Sequence, residues 1–343
     1  MKKLFFLIFL LSASAVYILS ADEQNSISVS GGIFPTTMGT VGEHLFLEWK
    51  ITPNFFLTAT ENHDKTIKSD FLFQYSGTDI SGLIDKEVTS LSGGPGARLG
   101  YGIARFSVTG TYFYSNIDTY KTGRKIVKDK NYIDDTAGFI DFNISEYLHG
   151  AKIGGGLDFD LKSILFKLSG SYTPFCLGER DSTFLETFGE FTPNGTHQYN
   201  WRKNTTSLQT NGTGFELGAQ IGLRFVGIML LHLSGNLDTL TQTGDINLTN
   251  TMLNLFSNDG DVTEINYSNE AKGSAFIDNA EITIGTSAEL LFLNDFNFIS
   301  VSPVLGVSYV KNIRTENFDY DNGYKEKWKD NYDYIRFIII MEI

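Results

Sequence analysis

The chain has 343 residues and a net charge of -13, with 34 Gly, 28 Phe and 16 Tyr against six Pro. The acidic balance argues against nucleic acid as a partner. Past the first twenty or so residues, no run approaches the ~18 uninterrupted apolar residues of a spanning helix, while the Gly and aromatic content suits long strands with aromatic belts.

The N-terminus reads as a secretory signal: Lys2 and Lys3, an apolar run from Leu4 to Leu11, then small residues. Cleavage fits after Ala15, or after Ser20 or Ala21 at the border with Asp22; the later exit is preferred. That leaves 22–343 as one domain with a net charge of about -15 once Lys2 and Lys3 are gone. A lipid-anchored form is excluded by the lack of a cysteine near the cut, and the sole Cys176 can make no internal disulfide.

Twelve strands are read from a repeated face rule. The first sets Ile27, Val29 and Ile33 against Ser28, Ser30 and Gly32; the second sets Leu45, Leu47, Trp49 and Ile51 against His44, Glu48 and Lys50. After Thr52, Pro53 and Asn54, a third starts at Phe55, and the fourth sets Ala97, Leu99 and Tyr101 against Ser92, Gly96 and Arg98. Gly102 and Ile103 turn the chain into a fifth, with Phe106, Val108, Tyr112 and Tyr114 against Arg105, Ser107 and Thr109. The sixth sets Ile153, Leu157 and Phe159 against Lys152, Asp158 and Asp160, and the seventh Ile164, Phe166, Leu168 and Tyr172 against Lys167 and Ser169.

The alternation is cleanest in strands eight and nine. From Phe215 to Phe225 the odd positions are apolar, and Glu216, Gly218, Gln220, Gly222 and Arg224 lie between them. After Val226 and Gly227 the ninth sets Leu231, Leu233 and Leu237 against His232, Ser234, Asn236 and Asp238. The tenth opposes Ile282, Ile284 and Leu290 to Glu281, Thr283 and Glu289, and the eleventh opposes Ile299, Leu305, Val307 and Tyr309 to Ser300, Ser302 and Ser308. Each strand therefore has one face for oil and one for water.

Short turns near 53, 102, 162, 227 and 295 alternate with long polar segments near 62–87, 119–146, 176–211, 242–275 and 313–330, which are read as loops. Turns at one end and long loops at the other are the layout of an outer-membrane barrel. A soluble β-sandwich would alternate too, but would bury its apolar face between sheets. Trp49, Tyr101, Tyr112, Tyr114, Tyr172 and Tyr309 fall on the apolar face next to a turn or a long segment, as two interface belts require.

The last strand carries the resemblance to bacterial outer-membrane β-barrel proteins most directly. Ile335, Phe337, Ile339, Met341 and Ile343 alternate with Tyr334, Arg336 and Glu342, and this is similar to the C-terminal strand that barrel-insertion machinery reads in that class, although the class usually ends in Phe or Trp. The inward Ile338 and Ile340 blur the pattern. The class implies an up-and-down antiparallel barrel of porin-like type in the outer membrane, with both termini in the periplasm, contact with outer-membrane lipid and the assembly machinery, and small polar solutes as cargo.

A weaker likeness, from Tyr132 to Asp181, is to the omptin proteases: Asp134 and Asp135 lead into a hairpin and a second segment carries Glu179, Arg180 and Asp181. Omptins place a His two residues from an Asp at the rim; here Ser182 and Thr183 follow Asp181, so no catalytic residue carries over. The Ser, His and Asn set of the outer-membrane phospholipase has no counterpart motif either. The expectation is a non-enzyme without cofactor or metal.

The inward face is then the informative set. It carries Lys50, Arg98, Arg105, Lys152, Lys167, Arg224 and Arg336 against Glu48, Asp158, Asp160, Glu216, Asp238, Glu281, Glu289 and Glu342, nearly balanced in sign. This fits a polar channel with a transverse field, or a salt-bridged filling that closes a modest barrel. The first gives passive diffusion of small polar solutes; the second gives a surface-exposed structural or adhesive barrel that acts through its long loops. Asn258, Asp259, Gly260 and Asp261, and Asp319, Asp321, Asn322 and Gly323, resemble calcium loops without a closing Glu and read as turn chemistry. His149 and His197 show no arranged partner, and Cys176 falls at the start of a long segment.

Overall fold

The structure is a computed structural model, and it describes residues 26–75, 78–127, 136–191, 197–225, 229–258, 261–290 and 302–342. The signal segment, the turns near 227 and 295, and Asp134, Asp135, Asp259 and Gly260 lie outside them.

Twelve strands form: β1 Ser26–Pro35, β2 Thr40–Lys50, β3 Phe55–Tyr75, β4 Thr78–Tyr101, β5 Ala104–Val127, β6 Thr136–Asp160, β7 Ile164–Phe191, β8 His197–Phe225, β9 Met229–Asn258, β10 Asp261–Leu290, β11 Ser302–Tyr320 and β12 Lys325–Glu342. Each pairs antiparallel with its sequence neighbours, and β1 pairs with β12 from Ser30↔Glu342 to Ile33↔Ile339. The ring is a closed up-and-down barrel. Closure matters because every backbone donor and acceptor facing lipid must be satisfied within the protein. Gly102, at φ 61°, supplies the left-handed step that lets a two-residue turn join β4 to β5.

The outer face shows what surrounds the barrel. Met229, Leu231, Leu233 and Leu237 of β9 and Phe215, Leu217, Ile221, Leu223 and Phe225 of β8 point outward, with Leu217 55% exposed and Leu233 59% exposed. Leu99, Phe106, Ile153, Ile284, Leu305 and Phe337 continue this belt on other strands. Apolar surface of that extent is stable only against hydrocarbon. The chain is a closed β-barrel with a lipid-facing belt, the architecture of outer-membrane barrels.

The strands run far beyond that belt. In β9 the apolar outward run ends at Leu237, and Thr239, Thr241, Thr243, Asp245, Asn247 and Thr249 follow it outward. At ~3.4 Å per residue and a tilt of ~45°, the 30 residues of β9 rise roughly 70 Å, against an apolar band of ~25 Å. The excess stands in water as an upper barrel.

This corrects the reading of the long polar segments as loops. Residues 62–75, 78–87, 119–127, 136–146, 176–191, 197–211, 242–258, 261–275 and 313–320 are paired strand. The physical reason is an inversion of the alternation. Within the band the odd residues of β9 are apolar and face lipid; above it they are Thr, Asp and Asn facing water, while Ile246 and Leu248 turn inward and are buried. Cys176 therefore sits inside β7, fully buried and opposite Gly150 and Gly212, rather than at the start of a loop. Glu179, Arg180 and Asp181 are likewise strand, with Arg180 inside and Asp181 outside.

The barrel also narrows. β1 and β2 are short, and their tip, Thr36 to Gly39, ends part-way up the wall with Thr37 donating its N–H to the Ile335 carbonyl at 2.9 Å. Above that point β3 pairs directly with β12, from Tyr75↔Trp328 to Phe73↔Asp330. Twelve strands below become ten above. Because barrel width grows with strand number, and about eight strands leave room only for side chains, a ten-stranded upper section can be filled across its width.

Candidate functional site: the lumen

The band-level lumen is a wall of paired polar and charged groups. Arg98 meets Glu48 at 3.1 Å, Lys152 meets Glu216 at 3.5 Å, Arg224 meets Asp160 at 3.4 Å, His232 meets Glu289 at 3.5 Å and Arg336 lies 3.8 Å from Glu281. Arg224 also donates to the Lys162 carbonyl, which ties the base of β8 to the β6–β7 turn. The register stacks Arg105 on Asp158 and Asp158 on Lys167, alternating in sign. Lys50 stands at the foot of β2 opposite Ser26 and Phe56. Glu342 pairs by backbone with Ser30 and Ser302.

One stretch of the wall is unbalanced. Glu216, Asp238 and Glu281 are register partners on β8, β9 and β10, so three carboxylates lie side by side. Lys152 and Arg336 flank this arc at its two ends. A cation placed at this level would meet a focused negative field, since low-dielectric walls concentrate field lines.

Above the arc a cavity of about 310 Å³ opens inside the barrel. Asp64, Lys86, Lys121, Glu281, Arg314, Asp330 and Arg336 contribute charge to its wall, and Phe34, Met38, Phe142, Trp328, Tyr332 and Tyr334 contribute apolar and aromatic surface.

The roof of the cavity crosses the lumen. Arg314 on β11 reaches Glu146 on β6 at 3.0 Å and Glu316 at 2.6 Å, and Arg180 on β7 meets Glu316 at 2.8 Å. Lys121 on β5 holds Asp330 on β12 at 2.7 Å. Burial alone would raise the Glu316 carboxyl, but the Arg180 and Arg314 guanidiniums and the hydrogen bonds from Arg180 hold it down at about 2. The Arg314 guanidinium, penalised by burial, is nevertheless kept charged by Glu146 and Glu316, which raise it above its ordinary value. Phe142 stacks on Trp328 with ring centroids 4.5 Å apart, and Phe184 meets both edge-on. Ile140, Leu208, Ile246, Ile277 and Phe318 complete a dry core. Higher still, Arg202 donates to the Tyr324 hydroxyl at 3.1 Å and lies over its ring.

None of these roof residues was singled out as lumen by sequence. All but Ile277 fall in the polar segments read as loops, where the polar outward residues dominate the eye. The signal that could have found them is the inward series Ile140, Phe142, Ile144, Glu146 and Leu148, which keeps period two with its faces exchanged.

The aromatics assigned to the interfaces lie on the outer face: Trp49, Tyr101, Tyr112, Tyr114, Tyr172 and Tyr309 are all exposed. Contrary to the reading of His149 as lacking a partner, its Nδ1 is 2.8 Å from the Tyr112 hydroxyl at the upper edge of the band. The segment at Asp319 is a turn: Asp319 meets Lys325 at 3.0 Å, and Asn322 Oδ1 accepts from the Tyr324 N–H. Ile338 and Ile340 are half-buried on the inner side of β12, and the space beside Ile340 belongs to Gly32.

No family model matches the chain, and no curated protein matches it. Among solved structures it is similar to the toluene transporter TodX of Pseudomonas putida, with 8% identity over 95% of this chain and 91% of that one and a TM-score of 0.44. The toluene transporter TbuX of Ralstonia pickettii gives 10% identity over 94% and 90%, TM-score 0.36. The outer-membrane protease OmpT of Escherichia coli gives 8% over 94% and 99%, TM-score 0.33. Nothing about cargo or catalysis follows from likenesses at that level.

Proposed function

We propose that the protein is a channel-type barrel of the bacterial outer membrane, non-enzymatic, which passes small polar solutes passively and restricts them at the roof of its central cavity. The observation that carries this reading is the charge-lined lower lumen opening on a cavity of about 310 Å³, a volume at the lower end of the ~300–1,000 Å³ typical of small-molecule sites. Its short-turn end faces the periplasm, its belt contacts outer-membrane lipid, and its C-terminal strand is what assembly machinery would engage. Single-channel conductance of refolded protein in a planar bilayer tests the reading, with a heat-dependent gel shift as proof of folding. Stable conductance steps that change on Glu216→Gln support it; folded protein that never conducts sinks it.

One observation favours a second reading. The Arg314–Glu146 pair and the Phe142–Trp328 stack both cross the upper lumen, as a barrel closed for good would have them. The upper barrel would then be a rigid pillar presenting polar strands and hairpins to the surroundings. Absence of conductance together with a high unfolding midpoint favours that alternative.

A further inference from the structure

We propose that the central cavity binds a small zwitterion carrying an apolar side group, of the α-amino acid kind. This rests on solutes reaching the cavity from the lumen, as proposed above.

The charges around the cavity are mostly spent on one another. Lys121 is held by Asp330, Arg314 by Glu146 and Glu316, and Arg336 by the Tyr334 hydroxyl and Glu281. Two are not. Among the described residues, neither the Asp64 carboxylate nor the Lys86 ammonium has an ion pair or a side-chain hydrogen bond, yet both line the cavity. They come from adjacent strands: Asp64 is opposite Val88 and Lys86 opposite Thr66, one inward position apart. Arg336, Lys86 and Glu281 set the field at Asp64 without reaching it.

The place of Asp64 is also built. A Cβ at Gly42 would collide with Asp64 Oδ1, so the carboxylate lies over bare backbone of β2 that only glycine leaves open. Asp64 is exposed and Lys86 half-buried, so both charges stand open to a solute in the cavity. A ligand with one charge meets one of them; a ligand carrying ammonium and carboxylate on neighbouring atoms meets both, through two charge-assisted hydrogen bonds. Phe34, Met38, Phe142 and Trp328 supply the opposite wall for an apolar side group. The volume of about 310 Å³ admits one amino acid rather than a peptide.

Isothermal titration of the folded full chain in detergent with L-phenylalanine, 3-phenylpropionate and phenethylamine tests the site. L-phenylalanine is expected to bind saturably, and each single-charge analogue at least tenfold more weakly. Asp64→Asn should weaken L-phenylalanine about tenfold and leave 3-phenylpropionate unchanged, while Lys86→Gln should weaken L-phenylalanine and leave phenethylamine unchanged. Gly42→Ala, which displaces the Asp64 carboxylate, should resemble Asp64→Asn, and each variant is admitted only with the wild-type gel shift. Lack of saturable binding, or equal binding of all three probes, overturns the proposal. Conductance on the same samples separates the two readings: a conducting barrel that does not bind loses only the site, and a binding barrel that does not conduct loses only the channel.

Discussion

Arg314 and Glu146 meet at 3.0 Å although they stand on β11 and β6, five strands apart in the ten-stranded upper ring, so the pair spans the full width of the lumen. Glu316 and Arg180 extend it into a chain of four charges of alternating sign, three of them buried. Such a network holds together only while every member is present, because truncating one partner strands the other without water. Arg314→Ala should therefore cost ~3–5 kcal/mol, read as a fall in the urea midpoint of the folded barrel. The double change Arg314→Met with Glu146→Leu should recover much of that loss. A single variant no less stable than the double would sink this account.

The same network sets an acid limit. The Glu316 carboxyl is held at about 2 against an ordinary 4.5. A group depressed on folding contributes stability that is complete above its unfolded value and is lost as pH falls through its folded one. The window is thus from about 4.5 down to 2, and the loss is roughly 3 kcal/mol. Urea unfolding at pH 7 and pH 3 should differ in the wild type, and Glu316→Gln, less stable at pH 7, should show a smaller difference. An equal pH response in the two proteins would remove Glu316 as its source.

Much of the lower barrel is legible in the sequence because one rule governs it: at Phe215 to Phe225, apolar means lipid and polar means lumen. The count of twelve strands followed from that rule. The upper barrel was missed because its solvent changes while its backbone does not. Past Leu237 water lies outside, so Thr243, Asp245 and Asn247 face out and Ile246 and Leu248 pack within; a segment judged by its polar residues looks like a loop. The roof could not be read at all from spacing, since Phe142 on β6 and Trp328 on β12 lie far apart in the sequence and meet across the lumen at the level where β3 pairs directly with β12.

The change of solvent along a strand can be mapped by placing one charge at two heights. Ile221 and Thr205 both face outward on β8, the first in the middle of the apolar run from Phe215 to Phe225 and the second above it. Ile221→Arg should cost ~2–4 kcal/mol, as a cation near the bilayer midplane does. Thr205→Arg should fall within ~0.5 kcal/mol, as surface changes usually do. The free energy of folding into lipid vesicles measures both. Equal costs would mean that the belt does not end where the alternation inverts.

The acidic arc makes a claim about ion preference. Glu216, Asp238 and Glu281 lie in register, and Asp238 is the middle carboxylate, with Lys152 and Arg336 set beyond its neighbours. If ions cross at this level, Asp238→Asn should lower the ratio of cation to anion permeability, read from the reversal potential under a salt gradient, and the change should shrink at high salt as screening shortens to ~3 Å at 1 M. A reversal potential unmoved by the substitution would place the ion path elsewhere.

The aromatic tier decides whether passage is limited by packing or by charge. Phe142 is 4% exposed and lies between Trp328 and Phe184, so its removal leaves a void in the middle of the roof and breaks the stack across the lumen. Phe142→Ala should cost ~3–5 kcal/mol of stability. Because the upper ring is held by its own backbone ladder, the barrel should stay closed as a ring and keep its gel shift. Conductance should then rise above the wild type, and Phe142→Leu, which refills most of the volume, should return it towards the wild-type value. A fall in stability with no gain in conductance would show that the Arg314–Glu146 bridge below, rather than the aromatic stack, holds the lumen shut.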